Sequence, residues 1–370
     1  MGYQHLECAA GSIWQKTRGS HGARHYADRV TTLATYPTTD PGLAPFDSRL
    51  QLGQSEPLAV GIKRVAMDQL ELAASGYFNG ESEFGEAVHD SRKAIKRTRS
   101  LLRLVRGELS DRIYDYEDSS LRDTARMVSE IRSAEAVVDA ASIIRDLYGE
   151  LLAEDTFVEL IQRLAQRRDI IELRALEDPH LVGRVVRNLE RTYNRYASWP
   201  TDEDAREVYG MGIRDSYEAI EPGLGVTYRT GRVEMVKAYE EGSSHRFHQW
   251  RKQAKYLRHQ LEFLAPLWPE VIVGTAMTLE RLGLILGEDH DLAELLALLV
   301  DRPDLCPNPR ERSLFSALAA RRRSELQTAA EVLGRRVYAE NPGSVEHRFG
   351  EYWGSRQLAN TTPLDTIVVY

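Results

Sequence analysis

A basic helical segment headed by histidine occurs twice in this chain, 159 residues apart and in the same register. The first copy reads His89-Asp-Ser-Arg92-Lys93-Ala-Ile-Lys96-Arg97-Thr-Arg99, and the second reads His248-Gln-Trp-Arg251-Lys252-Gln-Ala-Lys255-Tyr256-Leu-Arg258. Five of the eleven positions are identical, and all five are His, Lys or Arg. The small and apolar residues between them differ. A repeated apolar pattern points to a repeated fold, whereas a repeated set of cations points to a repeated site. The period is too long for a solenoid unit and fits a duplicated domain.

Within the first copy and its continuation, Arg92, Lys96, Arg99, Arg103 and Arg106 follow a 4-3-4-3 spacing, which lays them along one face of a helix. Lys93 and Arg97 widen that stripe. In the second copy Arg251, Lys255 and Arg258, flanked by Lys252 and His248, repeat it. Like charges three and four apart repel and lower helix stability by about a few tenths of a kcal/mol per pair. Carboxylates from neighbouring helices or an external anion must offset that cost. A single charge run reads as a solvated face with scattered ion pairs. Identical cations at identical positions in two copies point instead to a polyanion gripped from two sides. His89 and His248 lie near the starts of their helices, where free N–H groups attract anions and a protonated imidazole adds to the attraction; capping or packing is the competing use.

The net charge of −8 argues at first against a polyanion partner. Its distribution reverses the argument: residues 89–106 carry +6, residues 245–259 carry +5, and the remainder carries −19. An acidic body with two basic stripes focuses positive potential in one place. Cys8 and Cys306 are the only cysteines, which excludes a disulfide framework or a cysteine-rich zinc site and fits a cytoplasmic protein. No apolar run is long enough for a membrane span, and no secretory signal pattern opens the chain.

Residues 1–50 mix Gly, Thr, Pro and His without apolar periodicity and are expected to form a disordered tail. From Pro57 the pattern is helical, with helices expected at Leu58–Ala74, Phe84–Leu109, Tyr116–Asp146 and Glu154–Leu176. Asp178–Pro179 is the expected boundary between a first helical bundle, 51–178, and a second, 179–340. The second half predicts helices at Leu181–Tyr196, Asp204–Ile220, Tyr228–Glu241, Ser244–Ala265, 270–286, 289–300 and 310–339. Residues 341–370 read as a C-terminal tail, with Thr366–Tyr370 the one β-like run. The expected fold is all-α, two antiparallel four-helix bundles related by pseudo-two-fold symmetry around a basic central channel.

The paired His-x-x-Arg-Lys-x-x-Lys-x-x-Arg helices, with Leu286-Gly287-Glu288-Asp289-His290-Asp291-Leu292 after the second and Glu130-Ile131-Arg132-Ser133-Ala134 after the first, resemble the CHAD family, the conserved histidine α-helical domain. The resemblance covers about residues 55–340. It implies two facing bundles around a basic channel that binds inorganic polyphosphate, in some members at polyphosphate granules, without catalysis. The cationic positions it implies here are Arg92, Lys93, Lys96, Arg97, Arg99, Arg251, Lys252, Lys255 and Arg258, with His89 and His248 as the histidines; Arg103, Arg132 and His290 complete the expected site. Two departures stand out: Ser133 replaces the usual Asp after Arg132, and Tyr256 stands opposite Arg97. The second half is thereby expected to hold fewer phosphates. The Glu-x-Glu-x-Lys strand of an associated triphosphate-processing domain is absent from the sequence. No cofactor and no metal are expected.

Two other readings remain at this level. His290-Asp291 is the dipeptide of metal-dependent HD-type phosphohydrolases, with His259 and Asp301 as further candidate ligands; a divalent ion needs a full ligand set. Single-stranded nucleic-acid binding needs exposed aromatics between the cations. Trp250 and Tyr256 lie in the second motif, the first has no counterpart, and both are expected to be core or wall residues.

Overall fold

The computed structural model describes residues 46–77, 84–201 and 212–361. These form eleven α-helices: α1 (Leu58–Ser75), α2 (Phe84–Leu104), α3 (Asp111–Met127), α4 (Ser129–Tyr148), α5 (Val158–Glu177), α6 (Leu181–Ala197), α7 (Glu221–Glu241), α8 (Ser244–Leu264), α9 (Pro269–Asp301), α10 (Pro309–Val337) and α11 (Pro342–Thr361). Among the described residues there is no strand. Local chemistry sets several boundaries. The Ser243 side chain accepts from the Arg246 N–H at the start of α8. Asn308 accepts from the N–H groups of Arg310 and Glu311, with Pro309 in the first turn of α10. Gly242 ends α7 at φ 62°, the left-handed conformation that a side chain disfavours.

Helix α1 packs on α2 and α6, and α3 packs on the same two helices, which closes one group of four. In the second group α8 packs on α7 and α9, and α10 packs on α9 and α7. One apolar core runs through both groups, from Ile62, Leu102 and Val185 to Leu224, Trp250 and Leu282. The two basic helices touch directly. Ser100 Oγ donates to the Tyr256 carbonyl at 2.7 Å, and Gln260 Nε2 donates to the Ser100 carbonyl at 3.3 Å. At the far end of α2, Gly223 of α7 lies so close that a Cβ there would stand 2.1 Å from the Leu104 carbonyl oxygen, so no side chain fits. Helices α4 and α5 form a pair, with α4 against α9 and α10. They bury a second core in which Phe157 meets Phe315 edge-on at 5.1 Å between centroids.

The all-helical expectation holds for the described residues, and several details differ. The single helix expected at Tyr116–Asp146 is two, because Val128 leaves helical geometry (φ −114°, ψ 17°); there the Arg92 guanidinium donates to the Ala125 carbonyl in the last turn of α3. The helices expected at 270–286 and 289–300 are one, α9, whose Glu288 and Asp289 are held by Arg322 (2.6 Å) and Arg323 (2.9 Å) of α10. Helix α6 follows the boundary expected at Asp178–Pro179 but packs on α1 and α3. The expected C-terminal tail contains α11, which buries Val345, Phe349, Tyr352 and Trp353 in the main core. Residues 46–50 are part of the fold, with Phe46 and Leu50 buried. In the described part of the helix expected at Asp204–Ile220, residues 212–220, only Tyr217–Ala219 turns helically, as a short 3₁₀ segment. Residues 1–45, 204–211 and the β-like Thr366–Tyr370 lie outside the described residues.

Candidate anion-binding site

The crossing of α2 and α8 at Ser100 and Tyr256 brings the two basic stripes to one cavity of about 330 Å³. Helix α2 contributes Arg92, Lys96 and Arg99, and α8 contributes His248, Arg251, Lys252 and Lys255. Arg132 enters from α4, and His290, Asp291 and Glu294 from α9. Ser133, Ala136, Tyr256 and His259 complete the wall.

Lys96 and Lys255 occupy equivalent positions of the two motifs and form no ion pair among the described residues. Burial, with Arg251, Arg92 and Arg132 nearby, lowers the Lys96 ammonium to a pKa of about 7. Arg251, then burial and Lys96, hold Lys255 well below the ordinary lysine range. Arg251 Nε is buried without a hydrogen-bond partner among the described residues. Gly287 leaves room beside the guanidinium: a Cβ there would lie 3.2 Å from Arg251 Nη2, close enough to shift it by a few tenths of an ångström. These buried donors are aimed into one space with too few acceptors, a costly arrangement that an anion relieves.

The rim is more nearly balanced. Arg99 makes a two-pronged bond to Asp118 of α3, with both distances 3.0 Å. Arg103 donates to the same carboxylate at 2.8 Å and lies 4.5 Å from the Tyr256 ring centre. Arg106 pairs with Asp111. Arg132 is held by Glu135 at 2.7 Å and Asp139 at 3.8 Å, and burial raises the Asp139 carboxyl to about 6. Lys252 donates to Gln249 at 2.9 Å.

Of the three histidines that line the cavity, His248 and His290 lie with ring centroids 4.2 Å apart and their planes tilted by 42°. Burial, then His290, Arg251 and Lys252, lower His248 to about 3, so its ring is neutral at neutral pH. His290 Nε2 is 3.3 Å from Glu294 Oε1.

Not every expected residue reaches this space. His89, Lys93 and Arg103 are not among the lining residues. Arg97 turns to Glu262 at 3.7 Å and Gln69 at 3.4 Å. Arg258 turns to Glu280 at 3.1 Å and lies 6.0 Å from the ring of Phe46. Glu262 also contacts His259 Nδ1 at 3.2 Å, and burial lowers that imidazole to about 4. Sequence reasoning missed the balancing carboxylates. Asp111 and Asp118 are seven apart, two turns on one face of α3, and that spacing was the available signal. Nothing comparable marked Glu294 or Gly287.

The competing readings meet specific obstacles. Among the described residues no three His, Cys, Asp or Glu side chains gather to hold a metal. His259 is engaged with Glu262, and Asp301 is exposed at the end of α9. Trp250 is fully buried between Tyr239 and Phe247. Tyr256 is 7% exposed, so neither ring is presented for base stacking. Among the described residues no helix is long and apolar enough to cross a membrane.

The chain matches the CHAD domain over residues 64–300, a span that contains both basic helices and nearly all of α9. It belongs to the CHAD domain family. No curated protein is similar enough to the chain to count as a match. Helix α11 and all of α10 lie beyond the matched CHAD span.

Proposed function

We propose that this CHAD domain binds inorganic polyphosphate without chemical turnover, in the cavity shared by α2 and α8. The observation that carries the reading is the convergence of Lys96 and Lys255, with Arg92 and Arg251, on one buried space where, among the described residues, no carboxylate forms an ion pair with either lysine. Buried ammonium groups with lowered pKa values are stabilised by an anion that restores their charge. A linear phosphate chain supplies many singly charged groups and no bases, which suits a cavity with cations and no exposed aromatic ring. In this reading the two halves are copies of one unit related by pseudo-two-fold symmetry, a relation supported by the shared register of the motifs. Localisation at polyphosphate granules follows if the affinity is high enough to hold the protein on the polymer.

The test is a titration with long-chain polyphosphate at several salt concentrations, with assay of released phosphate. Submicromolar binding without phosphate release is expected. With about six phosphates contacted, log K falls against log salt with a slope of roughly −4. A slope near zero, or steady phosphate release, overturns the reading.

A further inference from the structure

Two acids line the cavity, Asp291 and Glu294, the wrong sign for a site that only collects anions. Asp291 lines the space and forms no hydrogen bond or ion pair among the described residues. The acids near it are engaged: Glu294 with His290 at 3.3 Å, and Glu135 with Arg132 at 2.7 Å. Burial raises the Asp291 carboxyl above the usual range, while Arg251, His290 and Arg132 act in the opposite direction without forming an ion pair with it among the described residues. An ionised carboxylate only accepts hydrogen bonds. Facing an interior phosphate of a chain, which has one negative charge and no proton near neutral pH, it repels. Facing a terminal phosphate, it finds a donor, because the second ionisation of such a group falls near about pH 6 and leaves a P–OH on part of the population.

Resting on the polyphosphate reading above, we propose that the cavity recognises the ends of phosphate chains, with Asp291 accepting a hydrogen bond from the P–OH of a terminal group. Lys96, Lys255, Arg92 and Arg251 neutralise that group and its neighbours, while Asp291 disfavours interior groups that bring no proton. Attraction to one ligand and repulsion of its close relative together give specificity. A site built to pair with a ligand hydroxyl rejects the analogue that lacks it, because its own buried group is then left unpaired. The broader class is any linear oligophosphate or phosphate monoester with a free end.

The experiment measures how many protein molecules bind each polyphosphate chain, for chains of several defined lengths. It also compares chains with free ends against chains capped as tertiary phosphoramidates, which carry neither a P–OH nor an N–H. End recognition predicts no more than two proteins per chain at every length, and affinity at least about tenfold weaker for capped chains. In Asp291→Asn the amide can donate to an interior phosphate, so capped and free chains bind alike and the number bound rises with length. Stoichiometry that grows with length in the parent protein, or equal affinity for capped chains, overturns end recognition and leaves polyphosphate binding intact. Failure to bind any chain overturns the polyphosphate reading itself. The parent stoichiometry decides the matter even if the variant does not fold.

Discussion

Ser100 donates its hydroxyl to the main-chain carbonyl of Tyr256 at 2.7 Å, and this bond fixes the crossing of the two basic helices. Ser100 is fully buried, so the bond is shielded from competing water. From this joint Lys96 lies one turn back along α2 and Lys255 one residue back along α8. Cations 159 residues apart in sequence are thereby held at one cavity.

Lys96→Gln and Lys255→Gln should each weaken polyphosphate binding, and each should reduce the salt slope by about 0.7. The empty protein should be no less stable, because each substitution removes a buried charge that lacks a partner. Affinity measured across a salt series, with thermal unfolding of the empty variants, checks both halves. An unchanged slope in either variant removes that lysine from the site.

Binding should take up protons. The folded pKa of Lys96, about 7, lies below its ordinary value of 10.5, so the unfolded chain holds more protons in that interval. Stability of the empty protein therefore rises with pH through it, and the penalty is fully present below about 7. A bound polyanion raises the lysine pKa values, so affinity should tighten as pH falls through the same interval toward about 7. His248, lowered to about 3, contributes little there. Calorimetry in buffers of different ionisation enthalpy measures the uptake; none at pH 8 contradicts the expectation.

Asp118→Asn should tighten polyphosphate binding and destabilise the fold by about 3 kcal/mol. The carboxylate joins Arg99 and Arg103, and removing one partner of a largely buried pair leaves the other charge uncompensated. Denaturant titration and ligand binding on the same sample should move in opposite directions.

Gly287→Ala should weaken binding several-fold with little change in secondary structure. The added methyl stands 3.2 Å from Arg251 Nη2 and shifts the guanidinium by a few tenths of an ångström, while alanine favours the helix. The double variant with Arg251→Ala should bind no more weakly than Arg251→Ala alone, since both act through one side chain.

Arg97→Gln should leave affinity within about twofold although Arg97 belongs to the motif. Its guanidinium faces Glu262 and Gln69, so its loss should register in stability. A large loss of affinity in a folded Arg97→Gln protein would place the anion on that side of α2.

The sequence by itself determined the helical class and the core-facing sides of the helices. It also determined that Arg92, Lys96, Arg251 and Lys255 belong together, because a 3.6-residue period and a repeated register are local properties of the chain. It did not reveal that Arg97 and Arg258 turn away from the cavity. Their direction depends on Glu262 and Glu280, supplied by the packed helices. Nor did it reveal that Pro342–Thr361 is helical and that Phe349 and Trp353 of that helix are core residues, since an apolar residue becomes core only when another surface covers it. The protonation of Lys96 and His248 likewise belongs to the tertiary structure. Charges at fixed positions in a sequence acquire a pKa only from the solvent they lose and the neighbours that folding brings near.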